Sequence, residues 1–565
     1  MKGAKSDKSM YRPISILSTL SKICESVLHN RILGHLEDNN LITTKQSAYL
    51  KGDSCSQQLL YIVHNIKKAW AHGQISHACY LDIQGAFDCV WHKAMLAKLK
   101  QINIKGSLHK LLTSYLSNRK ARTNIEGIFS SLLDILAGVP QGSRLGPLLF
   151  IIYINDIINN LETDSTIFAD DTTLMATAED PAQTSVVLNR DLERIFLWSK
   201  KWKLVFNPSK TYDMVFAKKT LNNSPPLVLD SVNITRINKH KHLGIYLTSD
   251  LSWDYHLTQL VKKVNLRLSN FYRNKLFSRN TLDILYKMNI RSLIDYGCQV
   301  WGPCLNDTQI AKLEKTQYRA AKIVTGAMYR TSSAALRGEL GWESIKDRIN
   351  LLSLTHFNKI QTNMTRPLIR SCLPPRNNNI LDLRTTRLYI PFPEKDRGFN
   401  NSFFPKMANL WDNLPSECKS GSSFKEQQEN LSKHFKPTKY KLNSYGTKLG
   451  NKLHTQIRLS QSQLNAHLYT VGLSDTKSCE CGAFIEDTYH FIFKCSKYIL
   501  IRDELLNNLD GVLSKKINSY SKNALKSIFL FGENPDDPER IPYNRVIFRR
   551  FQNFLMKSKR LVYKD

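Results

Sequence analysis

The stretch from Thr166 to Met175, TIFADDTTLM, limits what this chain can fold into more than any other. An apolar run meets two adjacent aspartates, and apolar residues resume after two threonines, the pattern of a hairpin with both carboxylates at its tip. Two such charges about 4 Å apart repel by roughly 4 kcal/mol at an effective dielectric near 20, so packing alone would not select them and a positive partner is expected. The chain around them is strongly basic, with 80 Lys and Arg against 48 Asp and Glu and a formal charge of +32. An excess of that size favours a polyanion, most often nucleic acid, whose phosphates release counterions on contact.

A third carboxylate turns the pair into chemistry. In CYLDIQGAFDCVWH, Asp82 ends an apolar strand-like run, and Phe87 and Asp88 follow. A strand end and a hairpin tip can bring side chains to one point. Three carboxylates around one cavity raise one another's pKa unless cations neutralise them, and magnesium is held by carboxylates together with substrate phosphates. Two such ions suit phosphoryl transfer. Taken alone, an Asp-Asp dipeptide is usually a solvated turn. Between the two sites lies AGVPQGSRLGPLLF, Ala137 to Phe150. There Gly138, Gly142 and Gly146 would let backbone approach a flat ligand such as a base pair, and Gln141 offers an amide. The bland alternative is a loop that merely starts a helix.

The 565 residues, 42% hydrophobic, suffice for a large core and for about three or four domains at roughly 150 residues each. Up to about Leu247, short β-like runs such as HACYLDI and TYDMVF alternate with helical patterns, and beyond Ser249 helices dominate. The most apolar run, GPLLFIIYINDII from Gly146 to Ile158, is too short to span a bilayer and carries Asn155 and Asp156, so it reads as a buried helix. CLPPRNNNI, Cys372 to Ile380, has the composition of a linker. The eleven cysteines are scattered and follow no secretory signal, which favours reduced intracellular thiols over bridges.

In chain order, YRPISILSTLSKICESVLHNRI, LDIQGAFDCVWH, GVPQGSRLGPLLF, FADD, NPSKTYDMVF and HKHLGIYL resemble the successive motifs of the reverse transcriptase of non-LTR retrotransposons, the jockey-like long interspersed elements. The likeness continues through LYKMNIRSLIDYGCQVWGP, GELGWESIKDRI and SQLNAHLYTVGL to about Tyr498. It implies an α+β right-hand polymerase, with fingers and a palm of antiparallel strands over residues 1–247 and a helical thumb over 248–370. A linker and basic nucleic-acid-binding extension would follow over 371–470, then a Cys/His zinc-knuckle-like motif over 471–500 and a helical tail over 501–565.

The resemblance also implies roles. Asp82 and Asp170 would hold two magnesium ions, helped by the backbone carbonyl of Ile83 and more weakly by Asp171. A primer 3′-hydroxyl would attack the α-phosphate of a deoxynucleoside triphosphate on an RNA template. Phe87 matches the aromatic under the sugar that excludes a 2′-hydroxyl, Arg12 would reach the triphosphate, and Lys210 would lie near the leaving pyrophosphate. Gln141 would join substrate binding, and His240–Leu247 would grip the primer strand. On residue type alone, Phe87 reads equally as core, Arg12 and Lys210 as surface charges, and 240–247 as the last palm strand. Implied partners are an RNA template, a DNA primer and dNTPs, with no membrane. The family's life cycle implies nuclear action with a cytoplasmic ribonucleoprotein stage.

Two departures accompany the likeness. No apurinic-like endonuclease precedes MKGAKSDKSMYRPIS, and Lys2 and Gly3 resemble the remnant of a basic fingers motif, so an N-terminally truncated copy is expected. Three alternatives stay open: a catalytically inactive nucleic-acid-binding remnant, an RNA-dependent RNA polymerase, which Phe87 disfavours, and a maturase, which the long helical extension disfavours. The C-terminal half adds evidence of its own. From Asn430 to Ser474 there is no acidic residue, while seven Lys or Arg accompany Phe435, Tyr440, Tyr445 and Tyr469. Such a mixture suits backbone contact with base stacking, or a solvated stretch. CECGAFIEDTYHFIFKC then places Cys479, Cys481, His490 and Cys495 at spacings that could close a tetrahedral zinc site, although the first pair is one residue closer than usual. Buried free thiols and a core histidine are the alternative.

Overall fold

The structure, a computed structural model, describes residues 14–218, 225–273, 277–328, 330–377, 388–436, 446–507 and 509–562. The chain divides into two compact units. One comprises residues 1–256, 299–304 and 356–413, and the other comprises 257–298, 305–355 and 414–565.

The first unit is built on a five-stranded sheet. Its strands are β1 (Ile75–Leu81), β2 (Asp164–Phe168), β3 (Asp171–Ala178), β4 (Tyr212–Phe216) and β5 (Thr235–Arg236), in the order β5-β4-β1-β3-β2. The pairings β4–β1, β1–β3 and β3–β2 are antiparallel. The edge pairing β5–β4 is parallel, so the sheet is mixed rather than wholly antiparallel as the sequence implies. HKHLGIYL is not a strand of this sheet either. It folds into a separate hairpin of β6 (Lys239–His242) and β7 (Ile245–Thr248).

β1 is buried along all seven residues, because side chains on both of its faces are covered. On one face Cys79 and Leu81 join the main core, and His77 meets Thr184 and Asp213. On the other, Tyr80 stacks on His240 at 4.2 Å and meets His242 at 5.0 Å. Five helices matter to the site: α1 (Thr19–Asp38), α2 (Cys55–Ala71), α3 (His92–Gln101), α4 (Leu145–Ile154) and α5 (Pro181–Trp202). α1 and α2 begin where the Ser18 and Ser54 hydroxyls accept from the amides of Ser21 and Gln57. α5 starts at an Asp180 cap with Pro181 in its first turn. α4 is the apolar run of the sequence, and it has no polar face because Leu148, Phe150 and Tyr153 are as buried as Leu149.

Residues 388–413 differ from the linker reading. Phe399, Phe403, Phe404, Met407 and Trp411 are buried, and Phe399 and Phe404 pack on His64 of α2 at 5.5 and 5.0 Å. Five large apolar side chains within so short a span drive the segment into the first unit, whatever the Pro and Asn content just before it. The second unit is helical. Leu453, Ile457, Phe491, Phe529, Phe551 and Phe554 form its core, and Tyr286 stacks on Trp342 at 3.9 Å. Among the described residues no helix is long and apolar enough to cross a membrane. None of the eleven cysteines, all among the described residues, is in a disulfide.

Candidate functional site

The register of the sheet puts the three aspartates at one end of it. Leu81, the last residue of β1, pairs with Thr172, so Asp82 follows directly beside the start of β3. Phe168 pairs with Asp171, which leaves Ala169 and Asp170 as the two-residue turn, with Ala169 left-handed at φ +54°. Asp170 is therefore the tip, and Asp171 opens the strand. The Asp171 carboxyl is pushed up to about 6, first by burial, then by Asp170, then by Asp82. Each of the three thus feels or exerts charge across one space. So held, the three carboxylates repel one another, and positive charge among them would relieve the conflict.

Beyond β1 the chain stays pinned. Asp82 accepts from the Asn207 amide (2.8 Å), and Gln84 donates to Val205 (2.8 Å), around a bridge between Ile83 and Phe206. In such an antiparallel bridge the carbonyl of Ile83 points away from residues 205–207. The Asn207 side chain caps the turn Pro208–Lys210, from which the exposed Lys210 ammonium reaches within 4.0 Å of the Asp82 carboxylate. Phe87 is half-buried and stacks on Phe150 of α4 at 4.6 Å. Arg12, Lys2 and Gly3 lie outside the described residues.

The glycine loop behaves differently from the expectation. A Cβ on Gly138 would stand 2.9 Å from the Asp88 backbone, one on Gly142 2.9 Å from the Ser15 carbonyl, and one on Gly146 2.8 Å from the Pro140 carbonyl. The close approach these glycines permit is thus to the chain's own backbone, not to a flat ligand. Gly138 also sits at φ +90°, where an L side chain is strained. Gln141 is engaged as well, its amide donating to both Asp88 carboxylate oxygens at 3.0 and 3.1 Å. The loop is held from below by Glu25 of α1, which is buried and accepts from the Ser143 hydroxyl (2.9 Å) and the Arg144 amide (2.7 Å).

Two neighbours of the aspartates escaped the sequence reading. Gln46, wholly buried, accepts through Oε1 from the amides of Ala48 (2.9 Å) and Ala169 (3.2 Å). Tyr49, left-handed at φ +59°, presents its ring edge-on to Phe87 at 6.5 Å, and its hydroxyl is raised by burial and then by Asp170. KQSAYLKG carries no signal for either role beyond an aromatic among polar residues.

In the second unit Cys479, Cys481, His490 and Cys495 offer four ligand atoms within 4.8 Å of one another. Sulfurs bound to one zinc at about 2.3 Å and tetrahedral angles stand about 3.8 Å apart. Cys479 Sγ and Cys495 Sγ are 3.7 Å apart, and Cys481 Sγ lies 3.2 Å from His490 Nε2, so the short first spacing does not prevent closure. The backbone N–H of Ala483 leads the effects that pull the Cys481 thiol down to about 6. Glu486, buried, stands 3.7 Å from Cys479 Sγ and is bound through both oxygens by Arg560 at 2.7 and 2.5 Å. This outer support was not read from the sequence. Of the basic extension, Tyr440 and Tyr445 lie outside the described residues, and Tyr469 is exposed beneath the Lys477 ammonium.

Residues 3–247 match the family described as reverse transcriptase (RNA-dependent DNA polymerase). The chain's relatives are polymerases of non-LTR retrotransposons. The probable RNA-directed DNA polymerase from transposon X-element of Drosophila melanogaster is 28% identical over 66% of this chain and 42% of its own length. That from mobile element jockey of Drosophila funebris is 27% identical over 63% and 40%. The Pol polyprotein of the type-1 element R1 of Bradysia coprophila is 25% identical over 94% of this chain and 51% of its own length. The chain thus spans about half the length of these relatives or less.

Proposed function

We propose that the chain is an RNA-directed DNA polymerase that extends a DNA primer on an RNA template, with a right-hand arrangement in which the five-stranded sheet is the palm. The observation that carries this reading is the sheet register, which sets Asp82 at the end of β1 beside the turn that bears Asp170 and Asp171. Asp82 and Asp170 would hold two magnesium ions, with the Ile83 carbonyl and Asp171 as lesser ligands. Magnesium, when bound, would neutralise these carboxylates and the substrate phosphates and lower the cost of the primer hydroxyl's attack. Lys210, beside Asp82, would meet the charge of the departing pyrophosphate, and Arg12 would reach the triphosphate. Phe87, backed by Phe150, would lie under the sugar and refuse a 2′-hydroxyl. The β6–β7 hairpin, stacked on Tyr80, would grip the primer. The Cys/His set would hold a structural zinc. Nuclear action after a cytoplasmic ribonucleoprotein stage is the setting this reading gives.

The test is primer extension on a primed RNA template with magnesium and deoxy- or ribonucleotides. Extension is expected with deoxynucleotides, and Asp82→Asn or Asp170→Asn should remove it by a factor of about 10³ or more without loss of template binding. Binding without any extension that these substitutions abolish would leave a nucleic-acid-binding remnant. Equal use of ribonucleotides would leave an RNA polymerase.

A further inference from the structure

The loop carrying Tyr49 is built into the active-site turn. Residues 45–47 run alongside β2, with the Ser47 amide donating to Ile167 (3.0 Å) and the Ile167 amide donating to Lys45 (2.9 Å). Asp164, at the start of the same strand, is held by the Lys45 ammonium and by the Tyr61 hydroxyl (2.8 Å). Gln46 then ties this loop to the turn itself, one carboxamide oxygen serving the amides of both Ala48 and Ala169. Its Nε2 is buried with no hydrogen-bond partner in the protein, so the residue is kept in place at a cost. The result is a tyrosine in a left-handed backbone conformation that bulky residues seldom adopt, which is the kind of outlier that clusters at functional sites.

Tyr49 is over half exposed (53%) although its ring meets Phe87 edge-on and its hydroxyl lies in the field of Asp170. This ring stands edge-on to Phe87, on a loop hydrogen-bonded to the Asp170 turn, with more than half of its surface open. We infer that Tyr49 is a second wall of the sugar pocket, packing against the deoxyribose of the incoming nucleoside triphosphate across from Phe87, and that Gln46 is the positioning residue that sets it against the Asp170 turn. The inference rests on the polymerase reading above. It adds a specificity-determining residue that enters from the segment before α2, apart from the strand that bears Phe87.

The experiment is steady-state single-nucleotide extension by the full chain, with a parallel measurement that requires no chemistry. In the latter, the deoxynucleotide concentration that half-stabilises a complex with magnesium and a dideoxy-terminated primer on RNA is read by gel shift. For Tyr49→Ala we expect KM for the deoxynucleotide to rise about tenfold with kcat within about threefold, and preference over the matching ribonucleotide to fall about tenfold. The half-stabilising concentration should rise in step. Tyr49→Phe, which keeps the ring, should recover most of each loss, and this recovery separates a wall from a merely structural residue. If parent protein extends primers in an Asp82-dependent way and Tyr49→Ala stays within about twofold of it in KM, discrimination and complex stability, the Tyr49 inference fails alone. If parent protein neither extends nor forms the complex, both readings fail together.

Discussion

Asp171 carries the site's charge conflict, and its titration has a definite sign. Because the folded site raises this carboxyl to about 6, the native state binds that proton more tightly than the unfolded chain does. Cation-free protein therefore loses stability as pH rises from the ordinary carboxylate range through about 6. Magnesium should raise Tm clearly at pH 7.5 and little at pH 5, as scanning fluorimetry would show, and equal shifts at both would break the link to these carboxylates. By the same reasoning Asp171→Asn should stabilise the cation-free protein at pH 7.5 by about 1 kcal/mol, allowing for solvent screening. The three aspartates were legible in the sequence, because acidic residues at the ends of apolar runs stand out against packing. Gln46 and Tyr49 were not, because their roles exist only once residues 45–47 lie along Ile167.

At the scale of elements, the loop from Gly138 to Ser143 is shaped by how closely it lies on residues 85–92. The Gly138 and Val139 amides donate to the carbonyls of Val90 (2.9 Å) and Phe87 (2.8 Å), leaving no room for a Cβ on Gly138. Gly138→Ala combines a 2.9 Å clash against backbone with an unfavourable φ of +90°, and should cost about 2 kcal/mol or more on urea unfolding. The following helix α4 is buried along nearly its whole length. Leu149→Ala, at a fully buried site, should cost about 3 kcal/mol by the same measurement. α4 was legible because an apolar run of that length can only be buried. The partner of the glycine loop was not, since glycine spacing shows that something comes close without showing what. The parallel β5–β4 pairing was hidden for another reason: a two-residue edge strand has too short a period to register.

Across the whole molecule, charge and metal have separate consequences. With a formal charge of +32, affinity for a primed RNA template should fall at least a hundredfold between about 50 and 200 mM salt, as several phosphate contacts are given up to counterions. A flat salt response in a binding titration would contradict the assignment of nucleic acid as partner. Freshly reduced protein should contain about one zinc per chain, and Cys479→Ala should lose it and lower Tm, as metal analysis and calorimetry would report. What the sequence determined by itself is the chemistry available: acidic residues closing apolar runs, a buried helix, thiols and an imidazole at ligand spacing, and a surplus of cations. Each is a property of local composition and period. The tertiary structure alone decided which groups share a space, that the glycines serve the chain's own backbone, that residues 388–413 complete the first unit, and that Tyr49 faces Phe87. Those depend on pairings between distant segments, which burial and hydrogen-bond satisfaction select only when the whole chain is folded.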